Sequence, residues 1–288
     1  SLTEDSVIGP TNGLTYVLHQ LSIDTGVTLD ILAGTVVKAE NAAVLYVYGG
    51  LNLQGTSGNR VIFTSCQDDS VGGDTNGDGG ASQPGMNNWG WIWVSTGGTA
   101  VMDHSIVRYG GAAYVNYSWV QHGLVYVYGG TAIVTNSELS HGYRGAELYV
   151  SGALTITGSD VANNYQGVYA VGGTLTMSGD QVHDNQQGGV ESRNNQLVLE
   201  NSLIEDNGSY AGVYLGYPMT ADPVVTNNTI QGNYYAIQIQ ANGGSLNLPV
   251  ATIHSNTAAG NTLNGLAIGG SLTEDSVIGP TNGLTYVL

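Results

Sequence analysis

The chain has 288 residues, 41% of them apolar, and a net charge of −17 from 22 acidic and 5 basic side chains. This apolar fraction is enough for a packed core, so the composition excludes a disordered chain. The acidic excess excludes binding to nucleic acid or to an anionic membrane, since both need clustered Lys and Arg. The sequence also lacks the apolar run of roughly 18 residues that a membrane helix needs.

The stretch SLTEDSVIGPTNGLTYVL opens the chain at 1–18 and recurs unchanged at 271–288. We interpret the sequence as a window on a tandem array, in which 1–270 is one module and 271–288 begins the next identical module. In the alternative, the chain is a separate subunit of a head-to-tail homopolymer. Both interpretations predict that the partner is another copy of the chain, along a fibre axis.

An insertion at 67–88 contains the acidic stretch DDSVGGDTNGDGG. Asp74, Asn76 and Asp78 have the spacing of a D-x-N-x-D-G calcium loop, in which alternate side chains supply oxygen ligands. Asp68 and Asp69 add two nearby carboxylates. A complete EF-hand is excluded because Gly85 stands where the bidentate Glu belongs. The stretch predicts either a distorted Ca²⁺ site or a solvated acidic turn.

Short alternating segments recur about every 22 residues after a second irregular stretch at 112–122. Such a repeat is too short for a helix in each unit, and it predicts an all-β, single-stranded, right-handed parallel β-helix. Two aligned columns support the register. The apolar column contains Val134, Ile156, Met177, Leu199, Val225 and Leu248, and the polar column contains Gly142, Asn164, Asn185, Asn207, Asn233 and Asn256.

The polar column predicts a ladder of stacked turn side chains. Each Asn amide can bond its own turn and the same amide one coil away. We expect Asn164, Asn185, Asn207, Asn233 and Asn256 to support the fold rather than to take part in chemistry.

The segment GVTLDILAGTVVKAENAAVLYVYGGLNLQGT resembles the first coils of secreted bacterial and archaeal β-helix repeat proteins of the pectate-lyase-like superfamily. VIFTSCQDDSVGGDTNGDGGASQPGMNNWGWIWV is similar to an insertion of surface members of that superfamily. The resemblance implies the β-helix fold and an extracellular or cell-surface location. It does not fix an activity, because this fold hosts many functions.

Enzymes of this superfamily place carboxylates from adjacent coils on one face, so an enzymatic alternative has to be weighed. Asp184 and Asp206 fall one coil apart, with His183 and Glu205 beside them. Two carboxylates about 5 Å apart can act on a glycoside. Any repeat gives this spacing to acidic turn residues, however, and we expect a solvated column and no enzymatic activity.

We therefore expect a structural module of an extracellular β-solenoid filament used in surface attachment or matrix formation, with Ca²⁺ bound at the insertion. The alternative is a carbohydrate-active β-helix enzyme, similar to a polysaccharide lyase or glycoside hydrolase, or a glycan-binding adhesin module. Glycans and neighbouring fibres are further expected partners.

Overall fold

A computed structural model describes residues 1–10, 14–115, 117–243, 252–279 and 284–288, and the backbone of 247 and 248. Within these ranges, the regular elements are β-strands. No described helix is long and apolar enough to cross a lipid bilayer.

Thirty-three strands follow one another in the described residues. Their bounds are β1 Ser6–Ile8, β2 Tyr16–Leu18, β3 Leu21–Ile23, β4 Thr28–Leu32, β5 Val36–Ala39, β6 Leu45–Val47, β7 Gly50–Gln54, β8 Val61–Ser65, β9 Ile92–Ser95, β10 Thr99–Asp103, β11 Ser105–Arg108, β12 Ala112–Val115, β13 Ser118–Gln121, β14 Gly123–Tyr128, β15 Thr131–Thr135, β16 Glu138–Ser140, β17 Arg144–Thr157, β18 Asp160–Ala162, β19 Gln166–Ser178, β20 Gln181–His183, β21 Val190–Arg193, β22 Gln196–Glu200, β23 Leu203–Glu205, β24 Ala211–Gly216, β25 Val224–Thr226, β26 Thr229–Gln231, β27 Tyr235–Asn242, β28 Asn247–Leu248, β29 Ile253–His254, β30 Thr257–Ala259, β31 Leu263–Ser271, β32 Val277–Ile278 and β33 Thr285–Val287.

The strands stack in parallel into three faces of a β-helix. A 19-stranded sheet bends to form the first face, which contains β6, β9, β14 and β24, and the second face, which contains β4, β7, β10 and β15. A 10-stranded sheet forms the third face, from β2 to β30. The long strands β17 and β19 run through both the first and the second face. The predicted parallel β-helix is confirmed.

The core is the column of side chains that point inward from all three faces. On the second face, Val134, Ile156, Met177 and Leu199 occupy register positions one coil apart and are fully buried. Each strand buries alternate residues, so its remaining side chains form columns on the outside. The outer columns are therefore where function can be placed without disturbing the core.

The corner between the third and first faces is held by an Asn ladder. The side-chain amide of Asn164 donates to Asn185 Oδ1 at 3.1 Å and to the Leu139 carbonyl of the preceding coil at 3.0 Å. The Asn164 backbone N–H also donates to Asn185 Oδ1, at 3.0 Å. The same pattern continues along the ladder through Asn185, Asn207, Asn233 and Asn261. At each step, the backbone N–H of one Asn donates to the side-chain oxygen of the Asn on the next coil. The side-chain amides of Asn185 and Asn233 donate to the same oxygens.

A second ladder holds the corner between the second and third faces. Its members are buried, and in each step a side-chain oxygen accepts the backbone N–H of the residue one coil below. The ladder contains Ser105, Ser137, Ser159, Asp180, Ser202, Asn228 and Asn256.

The assignment of Asn256 to the first ladder was wrong, because its oxygen accepts from Asn228 in the second ladder. Asn261, 28 residues after Asn233, follows Asn233 in the first ladder. The coil between Asn233 and Asn261 is about five residues longer than the aligned columns of the sequence predict. The predicted register is therefore wrong for this coil. On the second face, Ile253 accordingly pairs with Val225, and the side chain of Leu248 lies outside the described residues.

The two irregular stretches lie over different faces. Residues 67–88 leave the third face after β8, and the Gly73 carbonyl accepts a hydrogen bond from the fully buried Lys38. Strands β12 and β13 pair antiparallel as a hairpin beside the first face. The duplicated segments lie at opposite ends of the stack, where β1 pairs with β4 and β33 pairs with β31.

We predict that Asp180→Asn stabilises the fold at alkaline pH. Burial raises the pKa of Asp180 to about 7, against about 3.9 in an unfolded chain. Between these two pKa values, Asp180 is protonated in the folded state and ionised in the unfolded state. The free energy of unfolding therefore falls as pH rises from about 4 to about 7 and stays constant above that. An Asn amide is neutral throughout, and Asn228 shows that it can donate to a carbonyl of the preceding coil, at 2.9 Å.

Melting temperatures followed by circular dichroism from pH 4 to pH 8 test this prediction. The variant should match the parent at pH 4 and melt several degrees higher at pH 8. Asp222→Asn, at an exposed position, is the matched control and should follow the parent. Parallel profiles for Asp180→Asn and the parent would contradict the prediction.

Candidate functional site

Aromatic side chains line the outside of the first face. Tyr46, Trp93 and Tyr126 occupy one outward column on three successive coils. Their neighbouring ring centroids are 5.3 Å and 5.8 Å apart. The parallel register alone brings these rings together, although they lie far apart in sequence.

A second aromatic column runs beside the first. Tyr48, Tyr128 and Tyr149 are 39%, 37% and 41% exposed. Tyr128 and Tyr149 stack at 6.2 Å with 28° between their rings, and Tyr48 lies parallel to Tyr46 at 6.3 Å. We call the six side chains of the two columns the aromatic platform. It is a ribbon of rings along the β-helix axis, partly open to solvent.

The hairpin β12–β13 borders the aromatic platform. Val44, Trp91, Ala113 and Tyr126 form a small buried cluster outside the main core, which the hairpin covers. The far side of the hairpin is open, with Tyr117 at 94% and two further aromatic side chains at more than half exposure, Tyr114 and Trp119. The three Trp residues of the 89–93 stretch therefore differ in role: Trp89 lies in the main core, Trp91 lies under the hairpin, and Trp93 belongs to the platform.

The column that contains Tyr46, Trp93 and Tyr126 continues beyond Tyr126 with alternating charged and aromatic residues. Glu147, Tyr169, Glu191 and Tyr214 follow on successive coils. Arg144 donates to Glu147 at 3.0 Å, and its guanidinium lies 4.4 Å from the Tyr169 ring centroid. Each charge is therefore balanced by a neighbour on the same face.

Arg193 repeats the arrangement farther along. It donates to Glu191 Oε1 at 2.5 Å, and its guanidinium lies 4.8 Å from the Tyr214 ring centroid. Gln166 joins the two pairs, since it accepts from Arg144 at 3.0 Å and donates to Glu191 at 2.6 Å. The face thus carries a continuous polar network with no net charge.

Glu147 connects this network to the aromatic platform. Its side chain is 4% exposed, and its Oε2 accepts from the Gly123 backbone N–H at 2.9 Å and from Arg144. His122 Nδ1 lies 3.2 Å from the same oxygen, and the His122 ring stacks on Tyr126 at 3.8 Å. Burial, followed by the Glu147 charge, raises the pKa of the Tyr126 hydroxyl, so this ring stays neutral.

The four residues weighed as a catalytic column lie on two adjacent coils, where His183 is the register partner of Glu205 and Asp184 and Asp206 follow them at the same corner. Asp184 and Asp206 adopt the left-handed conformation, with φ of 52° and 51°, at the turn before the first ladder. Asp, Asn and Gly tolerate this conformation best, which explains the residue types. Glu205 accepts a hydrogen bond from Gln231, its register partner on the next coil, at 2.7 Å.

His183 contacts two carboxylates, Asp160 on the third face and Asp184 at the corner that follows it. Its Nε2 lies 2.9 Å from Asp160 Oδ1, and its Nδ1 lies 2.7 Å from Asp184 Oδ2. Burial alone would lower the pKa of His183, but the two carboxylates outweigh burial and raise it. Burial raises the pKa of Asp160, and Glu138, its register partner one coil away, adds to that rise.

A small polar cavity of about 140 Å³ lies against Asp160 and Glu138. Arg60, Asn136 and Gln181 are also part of its lining. Neither this carboxylate pair nor the polar network on the first face was predicted from the sequence. Both consist of outward residues whose types change from coil to coil, so the aligned sequence repeats show no recurring residue type at these positions.

The acidic insertion brings three of its predicted metal ligands together. Asp69, Asp74 and Asp78 place carboxylate oxygens within 4.8 Å of one another. Asn76 donates to Asp78 at 2.8 Å and lies at the edge of this group. The Asp74 and Asp78 carboxylates also accept backbone N–H groups of the loop, which fixes their positions.

Asp68 is separate from this group. It is buried, and Arg108 Nη2 donates to its Oδ2 at 2.6 Å. Burial would raise the pKa of Asp68, but hydrogen bonds from Ser70 and Thr64 and the Arg108 charge lower it. Asp68 therefore anchors the insertion to the third face and lies outside the Asp69, Asp74 and Asp78 group.

The geometry agrees with the comparisons to known proteins. Residues 122–279 match the family model described as the right handed beta helix region. The chain belongs to this family. The β-helix is therefore right-handed, as predicted, while the tandem array and the acidic insertion stay predictions.

A solved structure, the crystal structure of pectate lyase Pel9A, aligns with 94% of this chain and 80% of its own, at 12% identity and a TM-score of 0.49. The comparison with curated proteins gives no match. The aligned structure is that of an enzyme, which contradicts our expectation that the chain is not one, and we withdraw that expectation. At this identity and score, the likeness assigns no activity.

We predict that His183 titrates above the ordinary value of about 6.5. The protonated ring is held between Asp160 and Asp184, so its stabilising effect is present below pH 6.5 and is lost as pH rises through the folded-state pKa. Titration of the imidazole resonances by NMR measures this pKa. Asp160→Asn should lower it, whereas Asp222→Asn should leave it unchanged. A His183 pKa at or below 6.5 would contradict the ion-pair geometry.

Proposed function

We propose that this chain is a carbohydrate-active β-helix protein that binds an extended glycan along the aromatic platform, outside the cell. The aromatic platform is the observation that carries this proposal. Rings such as those of Tyr128 and Tyr149 offer flat apolar surfaces against which the C–H faces of sugars can pack. Their hydroxyl groups, and the polar network beside them, offer hydrogen bonds to sugar hydroxyl groups.

The charge of the face favours an uncharged glycan. Arg144 and Arg193 are already paired with Glu147 and Glu191, so neither guanidinium is left to recognise a sugar carboxylate. The net charge of −17 also repels polyanions at a distance. We therefore expect neutral polysaccharides to bind more tightly than polyuronates.

We predict that Tyr128→Ala and Tyr149→Ala each weaken binding of a neutral polysaccharide about tenfold, which corresponds to about 1.4 kcal/mol. Affinity electrophoresis against neutral and uronate polysaccharides measures the effect. Tyr234→Ala removes an equally exposed ring, at 43%, away from the platform and is the matched control. Equal binding by all variants, or a preference for polyuronates, would contradict the proposal.

Cleavage of the glycan would take place on the third face, away from the aromatic platform on the first face, at a carboxylate pair. Glu138 and Asp160 are register partners on adjacent coils, about 4.8 Å apart along the axis. The raised pKa of Asp160 suits a proton donor, whereas Glu138 accepts from Ser140 at 2.6 Å. The same incubations, analysed for glycan chain length, should show cleavage that Asp160→Asn abolishes.

We further propose that Asp69, Asp74 and Asp78 bind Ca²⁺ and stiffen the insertion. Three carboxylates within 4.8 Å of one another match the hard oxygen donors that Ca²⁺ takes. Hydrogen bonds from Ser82 lower the pKa of Asp78, so it is ionised at neutral pH.

We predict one Ca²⁺ per chain by equilibrium dialysis, and at least a tenfold weaker affinity after Asp74→Asn. Asp68→Asn removes a carboxylate outside the group and separates ligand loss from loss of charge, provided that circular dichroism shows it to be folded. No binding by the parent chain, or equal binding by Asp74→Asn, would contradict the site.

A second candidate function is head-to-tail self-association into a filament. The supporting observation is that β33, in the duplicated segment, continues the parallel stack on β31, with Leu266 opposite Tyr286. The mass of the native species, measured by light scattering over a range of concentrations, tests this function independently of glycan binding.

A further inference from the structure

One coil is set back at the corner between the first and second faces. Register partners on three successive coils mark where the first face ends and where the second begins: Ile23, Val47 and Val94, then Thr28, Gly50 and Thr99. In the two outer coils, four residues join these positions, 24–27 and 95–98. In the middle coil, only Tyr48 and Gly49 join them. The corner of the middle coil is therefore recessed between two longer turns.

Glycine makes this recess possible. A Cβ at Gly49 would lie 2.2 Å from the Val27 carbonyl oxygen of the preceding coil, so the tight turn accepts no side chain. The longer turns contain Gly26 and Gly97, with φ of 80° and 83°, a conformation that suits glycine. A Cβ at either of these two positions would have no atom within 4 Å. Open space therefore lies beside both longer turns.

The recess forms a surface cavity of about 280 Å³. Tyr48, 39% exposed, borders it from the first face, and the outward residues Thr28 and Thr99 border it from the second. Among the described residues, none that lines the cavity carries a charge. Sites for drug-sized ligands have volumes of about 300–1,000 Å³. This cavity is slightly smaller than that range, which suits a single sugar ring.

Three threonine hydroxyl groups of the cavity are available to a ligand. Within the described ranges, the hydroxyl groups of Thr25, Thr28 and Thr99 form no hydrogen bond. Thr28 donates to Asp5 through its backbone N–H instead, at 2.8 Å. Each hydroxyl group can donate one hydrogen bond and accept two. Together with the ring of Tyr48, they match a ligand that has both hydroxyl groups and an apolar C–H face.

We propose that this corner cavity is a subsite for one neutral pyranose unit of the glycan that binds along the aromatic platform. The subsite rests on the proposed glycan binding and specifies which units are accepted. Tyr48 belongs to the platform, so a glycan that lies on the second aromatic column reaches the cavity at its Tyr48 end. A unit with a carboxylate is disfavoured, because it loses hydration and finds no cation in the lining to pair with.

Matched threonine variants test the subsite on the full chain. Thr28→Val with Thr99→Val removes two cavity hydroxyl groups and keeps the shape of both side chains. Thr131→Val is the control, because Thr131 is the register partner of Thr99 on the next coil and lies outside the cavity lining. Isothermal titration calorimetry uses linear neutral hexasaccharides of glucose, mannose and xylose as probes, with a hexauronate for comparison.

For the neutral probe that binds most tightly, the double variant should bind about tenfold more weakly, at about threefold for each lost hydrogen bond. Thr131→Val should bind like the parent. In NMR spectra, the same probe should shift the methyl resonances of Thr25, Thr28 and Thr99 and leave that of Thr131 in place.

The outcomes separate the subsite from the platform. If Tyr128→Ala weakens binding of the neutral probe but the double threonine variant binds like the parent, the subsite is wrong and the platform stands. A parent chain that binds none of the neutral probes overturns both. Equal weakening by Thr131→Val, or equal affinity of the parent for the hexauronate, overturns the assignment of the cavity to a neutral unit.

Discussion

The stacking of coils depends on how the chain turns its corners. At both ladders, the residue before the ladder side chain adopts the left-handed conformation, as at Asn163 and Asp184 before the first ladder and Asn227 before the second. This conformation points the next side chain inward, where its oxygen accepts a backbone N–H from the neighbouring coil. Without these bonds, a buried donor would be left unpaired at each corner, at a cost of about 1–3 kcal/mol. The corners thus fix the register, and the register fixes every outward column.

The candidate site follows from that register. Tyr46, Trp93 and Tyr126 form a continuous surface only because each coil places its outward residue above the one before. The same rule places Glu147 next to Tyr126, so that a charged column begins where the aromatic one ends. A shift of one residue in one coil would turn the outward residue inward and break the column. The proposed glycan binding at this face therefore requires the rigidity that the ladders supply.

The sequence predicted the fold well and the candidate site poorly, for one physical reason. Inward positions repeat the same chemistry because they share one core, and corner positions repeat Asn, Ser and Asp because they share one backbone conformation. Both produce visible columns, and the prediction failed only near residues 244–256, where a longer coil shifted the register of Asn256. Outward positions obey no such constraint. Glu147 and Glu191 are separated by Tyr169, and nothing in their spacing distinguishes them from solvated side chains.

The acidic composition can be understood from the same division between inside and outside. Asp184 and Asp206 serve the backbone at corners, where their charge is exposed to solvent and costs little. Asp180 is the exception, since it occupies a buried ladder position that its neighbours Ser159 and Ser202 fill with a neutral group. Its raised pKa is the consequence of placing a carboxylate where only an oxygen acceptor is required. Charge on the first face follows a third pattern, because there each carboxylate is held by an Arg that also packs on an aromatic ring. That pairing fixes the position of the rings and leaves the face without net charge. The proposed glycan binding there would therefore come from ring surfaces and hydrogen bonds rather than from electrostatic attraction.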